Sequence, residues 1–115
     1  MTLTRGEIWL APFPYSDLTG SKRRPVCVVS PERFNAGADV LVAMVTSRGV
    51  DRSVPRLGDV TIEALAGSGL RVVSIVRTGR LFALERSKLI ERLGLLDGMA
   101  MARIDDQLRL VLGLP

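Results

Sequence analysis

The chain has 115 residues, 47% hydrophobic and 24% charged, a composition that folds and a length suited to one domain. Sixteen Lys and Arg against twelve Asp and Glu leave a net charge of +4, which suits a polyanionic partner but also occurs in proteins without one. With no histidine and a single cysteine, the chain cannot build a zinc site from the usual ligands or a Ser-His-Asp or Cys-His nucleophilic system.

In chain order, Glu7-Ile-Trp-Leu-Ala11 alternates enough to predict a short strand, ended by Pro12 and Pro14, which cannot donate to a central ladder. Residues 15–23 mix turn formers with positive charge and predict a loop. Arg24-Pro-Val-Cys-Val-Val-Ser30 and Val40-Leu-Val-Ala-Met-Val-Thr46 are nearly continuous apolar runs and predict buried strands. Cys27 lies inside the first and is expected to pack as a small, reduced hydrophobe. Pro31 to Gly37, between the two runs, is too short and Gly-interrupted to predict a helix. Residues 47–56 predict an exposed loop, Val60-Thr-Ile62 a strand and Gly67-Ser-Gly69 a turn. Arg71 to Arg77 predicts a strand, Thr78-Gly79-Arg80 a bend, and Leu81 to Leu84 another strand. Met101, Ile104, Leu108, Val111 and Leu112 fall at helical spacing, with Asp97 as N-cap and Gly113 as the residue after the helix. About six short strands followed by one helix imply a mainly β (α+β) fold, a small barrel or strongly bent sheet carrying the helix. No linker divides it, so residues 1–115 form one expected domain. No apolar run approaches the ~20 residues that cross a bilayer, and the first residues lack an apolar export core. The expected location is the cytoplasm.

Chemistry has few places to reside. Lys22-Arg23-Arg24-Pro25 sets three cations where a loop enters a buried strand, either as a solvated basic turn or as a phosphate-binding group. Thr46-Ser47 ends the second buried strand with two hydroxyls, which either close it by local hydrogen bonds or serve a site. Gly67-Ser-Gly69 lacks the third glycine and following helix of a dinucleotide loop. Asp105 and Asp106 are adjacent on the predicted helix and so diverge, as surface carboxylates do.

Arg5-Gly-Glu-Ile-Trp9, Arg24-Pro-Val26, Thr46-Ser47, Ser74 to Arg77 followed by Leu81 to Leu84, Leu93-Gly94 and Leu112-Gly-Leu114 occur in order along most of the chain. Together they resemble the MazF/PemK (Kid-like) toxins of type II toxin–antitoxin systems. The resemblance implies a small SH3-like, CcdB-type β-barrel with a C-terminal α-helix, a homodimer, and sequence-specific cleavage of single-stranded RNA (mRNA interferase activity) without metal or cofactor. It also implies a MazE-like antitoxin whose disordered tail covers the RNA groove, and DNA binding through that complex. Arg24 and Thr46 match the family's main catalytic residues, and Arg77 matches a functional arginine of the Kid-like branch. Lys22, Arg23, Ser47, Arg48, Arg52 and Arg77 would hold the RNA, and Phe13 and Tyr15 could stack on bases.

In such an enzyme the RNA's own 2′-hydroxyl attacks the adjacent phosphorus, leaving a cyclic phosphate, so the protein chiefly aligns groups and stabilises charge. Arginine is a poor proton acceptor near neutrality, and no histidine is present to do better, so the general base is unassigned. One position departs from the family pattern: where many members have an Asp-Gln pair, this chain has Gly79-Arg80. The alternatives are a non-catalytic CcdB-like toxin that binds gyrase and an RNA-binding homologue without activity.

Overall fold

The computed structural model describes residues 2–12, 22–51 and 56–115. Phe13, Tyr15 and Arg52 lie outside them. Among the described residues, β1 (Glu7–Pro12), β2 (Arg23–Val28), β3 (Asp39–Thr46), β4 (Asp59–Ile62), β5 (Ser74–Glu85) and β6 (Glu91–Leu95) form one sheet in the order β4-β5-β3-β2-β1-β6. Every ladder is antiparallel. The sheet curls until its edges approach, and the Leu95 N–H donates to Gly67 O at 2.9 Å, so the turn after β4 bridges to β6. Gly67 and Gly69 sit at φ 78, and a Cβ on Gly69 or Gly94 would drive into the facing backbone. Glycine is required at both positions by that close approach.

The two expected strands at 71–77 and 81–84 are one strand here. β5 starts at Ser74, and its register against β3 jumps from Arg77↔Met44 to Leu81↔Ala43. Thr78-Gly79-Arg80 is therefore a bulge within a continuous strand, not a bend between two. β6 was not expected. A four-residue helix, α1 (Glu32–Asn35), occupies the segment where no helix was expected. The long helix α2 (Gly98–Leu112) has the expected ends: the Ala100 N–H donates to Asp97 Oδ1 at 2.8 Å, and Gly113 follows at φ 70. None of the described helices is long and apolar enough to cross a membrane.

Both faces of the central strands are covered, which is why β2 and β3 read as unbroken apolar runs. On one face Ile8, Cys27, Ala43, Val45, Val60, Val76 and Ile104 of α2 pack together. On the other, Leu3, Trp9, Val26, Val28, Val40 and Val42 form a second cluster. Burial pushes the Cys27 thiol up to about 12, so it is a packing group rather than a nucleophile.

Arg5-Gly-Glu-Ile-Trp9 performs structural work. Arg5 Nε donates to Val29 O at 2.8 Å, and its guanidinium pairs with Asp105 on α2. Glu7 Oε2 accepts from Thr4 N at 2.5 Å and Thr4 Oγ1 at 2.9 Å, while Oε1 accepts from Trp9 Nε1 at 3.0 Å and Arg92 Nε at 3.1 Å. Burial alone would raise the Glu7 carboxyl, but these donors together outweigh it and hold it below its ordinary value.

Candidate functional site

β2 and β3 are paired as far as Val26↔Met44. Continuing that register sets Pro25 beside Val45 and Arg24 beside Thr46, so the start of one strand meets the end of the other at one mouth of the curled sheet. A cleft of about 480 Å³ opens there. Its apolar wall includes Leu10, Pro25, Val45, Leu70 and Leu93, and its polar groups are Arg24, Thr46, Ser47, Arg71, Ser74 and Glu91.

Arg24 is half-buried and Thr46 buried, whereas Ser47 is exposed. The Arg48 backbone N–H donates to Thr46 Oγ1 at 3.1 Å, which fixes the hydroxyl oxygen and leaves its proton to donate. Ser74 Oγ is turned to Val72 O at 2.9 Å. Lys22 and Arg23, one and two residues before Arg24, are exposed, as is Arg48.

Arg77 is placed differently. Its cross-strand partner on β4 is Asp59, with Nε 3.6 Å from Asp59 Oδ1, and the two side chains are only 10% and 8% exposed. It lies on β5 two residues beyond Ile75, the partner of Thr46, and is not among the described residues lining the cleft. The structure thus brings Arg24, Thr46 and Ser47 together, sets Lys22, Arg23 and Arg48 beside them in the chain, and turns Arg77 into a buried ion pair. Arg52 lies outside the described residues.

Gly79 stands in the bulge between Arg77 and Leu81, whose β3 partners Met44 and Ala43 are two and three residues from Thr46, about 7–10 Å along the strand at ~3.3 Å per residue. Its φ is not positive. A Cβ there would find only Leu57 O, at 4.0 Å.

Three polar residues of the cleft, Arg71, Ser74 and Glu91, carry no site signal in the sequence. Arg71 opens a run that predicts a strand, Ser74 lies inside that run, and Glu91 sits in a segment without a strand signal. The chemistry on offer is that of guanidinium, hydroxyl and one carboxylate, a set that holds a phosphate and its neighbouring hydroxyl. No group of three His, Cys, Asp or Glu that could hold a metal ion occurs among the described residues.

The family model for the PemK-like, MazF-like toxin of type II toxin-antitoxin systems matches residues 4–112. The chain is 33% identical over 112 residues to a probable endoribonuclease MazF of Mycolicibacterium smegmatis, covering 97% of this chain and 98% of that protein. An endoribonuclease solved in complex with its cognate antitoxin from a mycobacterial species superposes at TM-score 0.78 with 23% identity, covering 98% of this chain and 97% of that one. MazF from Deinococcus radiodurans superposes at TM-score 0.75 with 25% identity, covering 99% of both chains. Matched along nearly all its length, the chain belongs to the PemK-like, MazF-like toxins of type II toxin-antitoxin systems.

Proposed function

We propose that the chain is an endoribonuclease, the toxin of a type II toxin–antitoxin pair, and that it cuts single-stranded RNA at the Arg24–Thr46 cleft. The observation that carries this reading is the meeting of those two side chains at one strand-end mouth, where they line the same cleft. Arg24 binds the scissile phosphate oxygens and stabilises the charge that grows on them. Thr46, its oxygen fixed by the Arg48 N–H, donates its proton to the phosphate. Ser47 and Arg71 flank that phosphate, and Lys22, Arg23 and Arg48 attract the RNA backbone. The ribose 2′-hydroxyl is the nucleophile, so the step runs without metal or cofactor. The work is done in the cytoplasm on messenger RNA.

The active form is a homodimer, and a MazE-like antitoxin silences it. The solved antitoxin complex of a similar endoribonuclease supports such a partner here. Exposed Phe34, Leu110, Leu112 and Leu114 provide apolar surface for assembly.

Incubation of the purified protein with long mixed-sequence RNA in excess EDTA tests the reading. Fragments ending in 2′,3′-cyclic phosphate and beginning with a 5′-hydroxyl are expected, and Arg24→Ala lowers the rate by at least ~10²-fold with the fold intact. Loss of cutting in EDTA, or a 5′-phosphate product, overturns the metal-free mechanism. Intact RNA accompanied by DNA breaks in expressing cells replaces the ribonuclease with a gyrase-binding toxin.

A further inference from the structure

We propose that Glu91 is the general base of this cleavage, the group that takes the proton from the attacking 2′-hydroxyl. The proposal rests on the ribonuclease reading above and fills a role for which arginine and threonine are poorly suited.

The sheet places Glu91 directly. Glu91 pairs with Leu10 across β6 and β1, and Leu10 pairs with Pro25 across β1 and β2. The three therefore form one transverse row on one face, and all three line the cleft. Adjacent strands lie ~4.8 Å apart, so two spacings separate the Glu91 backbone from that of Pro25 by roughly 10 Å. Arg24 is the next residue. Arg24 has the opposite parity on β2, but at the start of the strand it lines the same cleft, so Glu91 and Arg24 both border the space that a ribose–phosphate unit would occupy.

Elimination within the cleft agrees. Of its described polar side chains, Arg24 and Arg71 offer hydrogen-bond donors only, and Thr46, Ser47 and Ser74 carry hydroxyls. Glu91 is the carboxylate among them. Five other acids are engaged elsewhere, Glu7 by four donors, Asp59 by Arg77, Asp97 by Ala100 N, Asp105 by Arg5 and Asp106 by Arg109, and Glu32, Asp39, Asp51, Glu63 and Glu85 are not among the residues that line the cleft. Glu91 is exposed, and among the described residues no hydrogen bond or ion pair engages its carboxylate. Two arginines in the same cleft offset the repulsion it would exert on RNA.

The step balances. The 2′-O–H bond breaks with its proton passing to the Glu91 carboxylate, while the 2′-oxygen bonds to phosphorus. The phosphorus–O5′ bond breaks, and the 5′-oxygen takes a proton from water at the open mouth. Glu91 then returns its proton to solvent, so no net proton is consumed.

The test uses Glu91→Gln, Glu91→Asp and Glu91→Ala in the full chain, with RNA as substrate and the same RNA carrying a 2′-deoxy residue at the cut site as a non-cleavable ligand. Glu91→Gln should cut at least ~10²-fold more slowly while binding the deoxy ligand as tightly as wild type. Wild-type kcat/KM should fall on the acid side as the carboxylate takes up a proton, and that limb should vanish in Glu91→Gln. Glu91→Asp should retain partial activity, and added formate should restore cutting by Glu91→Ala in proportion to its concentration. Glu91→Gln cutting at the wild-type rate overturns the proposal. So does slow cutting that keeps the acid limb and comes with weakened ligand binding, which would make Glu91 an RNA contact only. Both outcomes leave the ribonuclease reading standing, whereas a wild-type protein that leaves RNA intact overturns the two together.

Discussion

Replacing Glu7 by glutamine keeps the shape of the side chain and removes half of what it does. Its two oxygens accept four hydrogen bonds: from Thr4 N and Thr4 Oγ1 on one oxygen, and from Trp9 Nε1 and Arg92 Nε on the other. Glutamine offers one acceptor oxygen and one NH₂. Turned one way, the NH₂ confronts the Thr4 N–H; turned the other, it confronts the buried indole N–H of Trp9. The Thr4 hydroxyl can rotate, and Arg92 is exposed enough to swing to water, but either orientation strands one buried donor. That costs about 1–3 kcal/mol, and losing the charge-assisted character of the remaining bonds adds about 1 more. A loss near 3 kcal/mol is expected, or a Tm lower by about 12 °C at ~4 °C per kcal/mol for a chain of this size. The pH dependence supplies a second check. The folded Glu7 carboxyl lies below its unfolded value, so its contribution is fully present above ~4.3 and is lost as pH falls through the folded value. Wild type and Glu7→Gln should therefore differ most at neutral pH and converge in acid. Urea unfolding at pH 7 and near pH 3, followed by circular dichroism and by the fluorescence of Trp9, the chain's one tryptophan, measures both. A difference under about 1 kcal/mol at neutral pH, or one that persists in acid, refutes the reasoning.

Gly79→Asp fits an open site with no positive φ, so stability should change by less than about 0.5 kcal/mol. Its effect on cleavage should be a shift in sequence preference or a rate change under about tenfold, ~1.4 kcal/mol in barrier; a gain above ~10²-fold on mixed-sequence RNA would mean the wild-type site is incomplete without that carboxylate. Gly94→Ala pushes a methyl into the Gly67 and Ser68 backbone, so thermal denaturation should show a loss of about 1–3 kcal/mol. Cleavage should slow with it, because the displaced turn leads into Leu70 and Arg71 of the cleft; an unchanged melting temperature sinks that account.

What was legible in the sequence was what local chemistry dictates. The helix at 98–112 carries its apolar spacing and both end residues within its own segment, and the β2 and β3 runs declare burial on two faces. Long-range pairing was not legible. Thr78-Gly79-Arg80 has the residues of a bend, and only the ladder to β3 on both sides of it makes it a bulge. Glu91-Arg-Leu-Gly-Leu95 contains no β-branched residue and becomes a strand through pairing with β1 and the close approach of the 67–69 turn. The cleft was half legible for the same reason. Arg24, Thr46 and Ser47 lie at the ends of recognisable strands, whereas Glu91 belongs to the unrecognised one. Arg77 matches a functional arginine of the Kid-like branch, and its pairing with Asp59 depends on the β4–β5 register, which no local pattern reveals.

The same register logic ties the fold-holding motif to the chemistry. β6 pairs with β1 through Ile8↔Gly94 and then Trp9↔Arg92, skipping Leu93. Without that one-residue slip the ladder would continue Trp9↔Leu93 and Leu10↔Arg92, and Arg92 would enter the row with Leu10 and Pro25. Side chains alternate along a strand, so the slip exchanges which of Glu91 and Arg92 faces the cleft. Glu7 helps hold the slipped arrangement, because Arg92 Nε reaches its carboxylate at 3.1 Å beside Trp9. A buried carboxylate that does not line the cleft thereby helps to fix the orientation of the one that does. Perturbing Glu7 should then slow cleavage beyond its effect on the folded fraction.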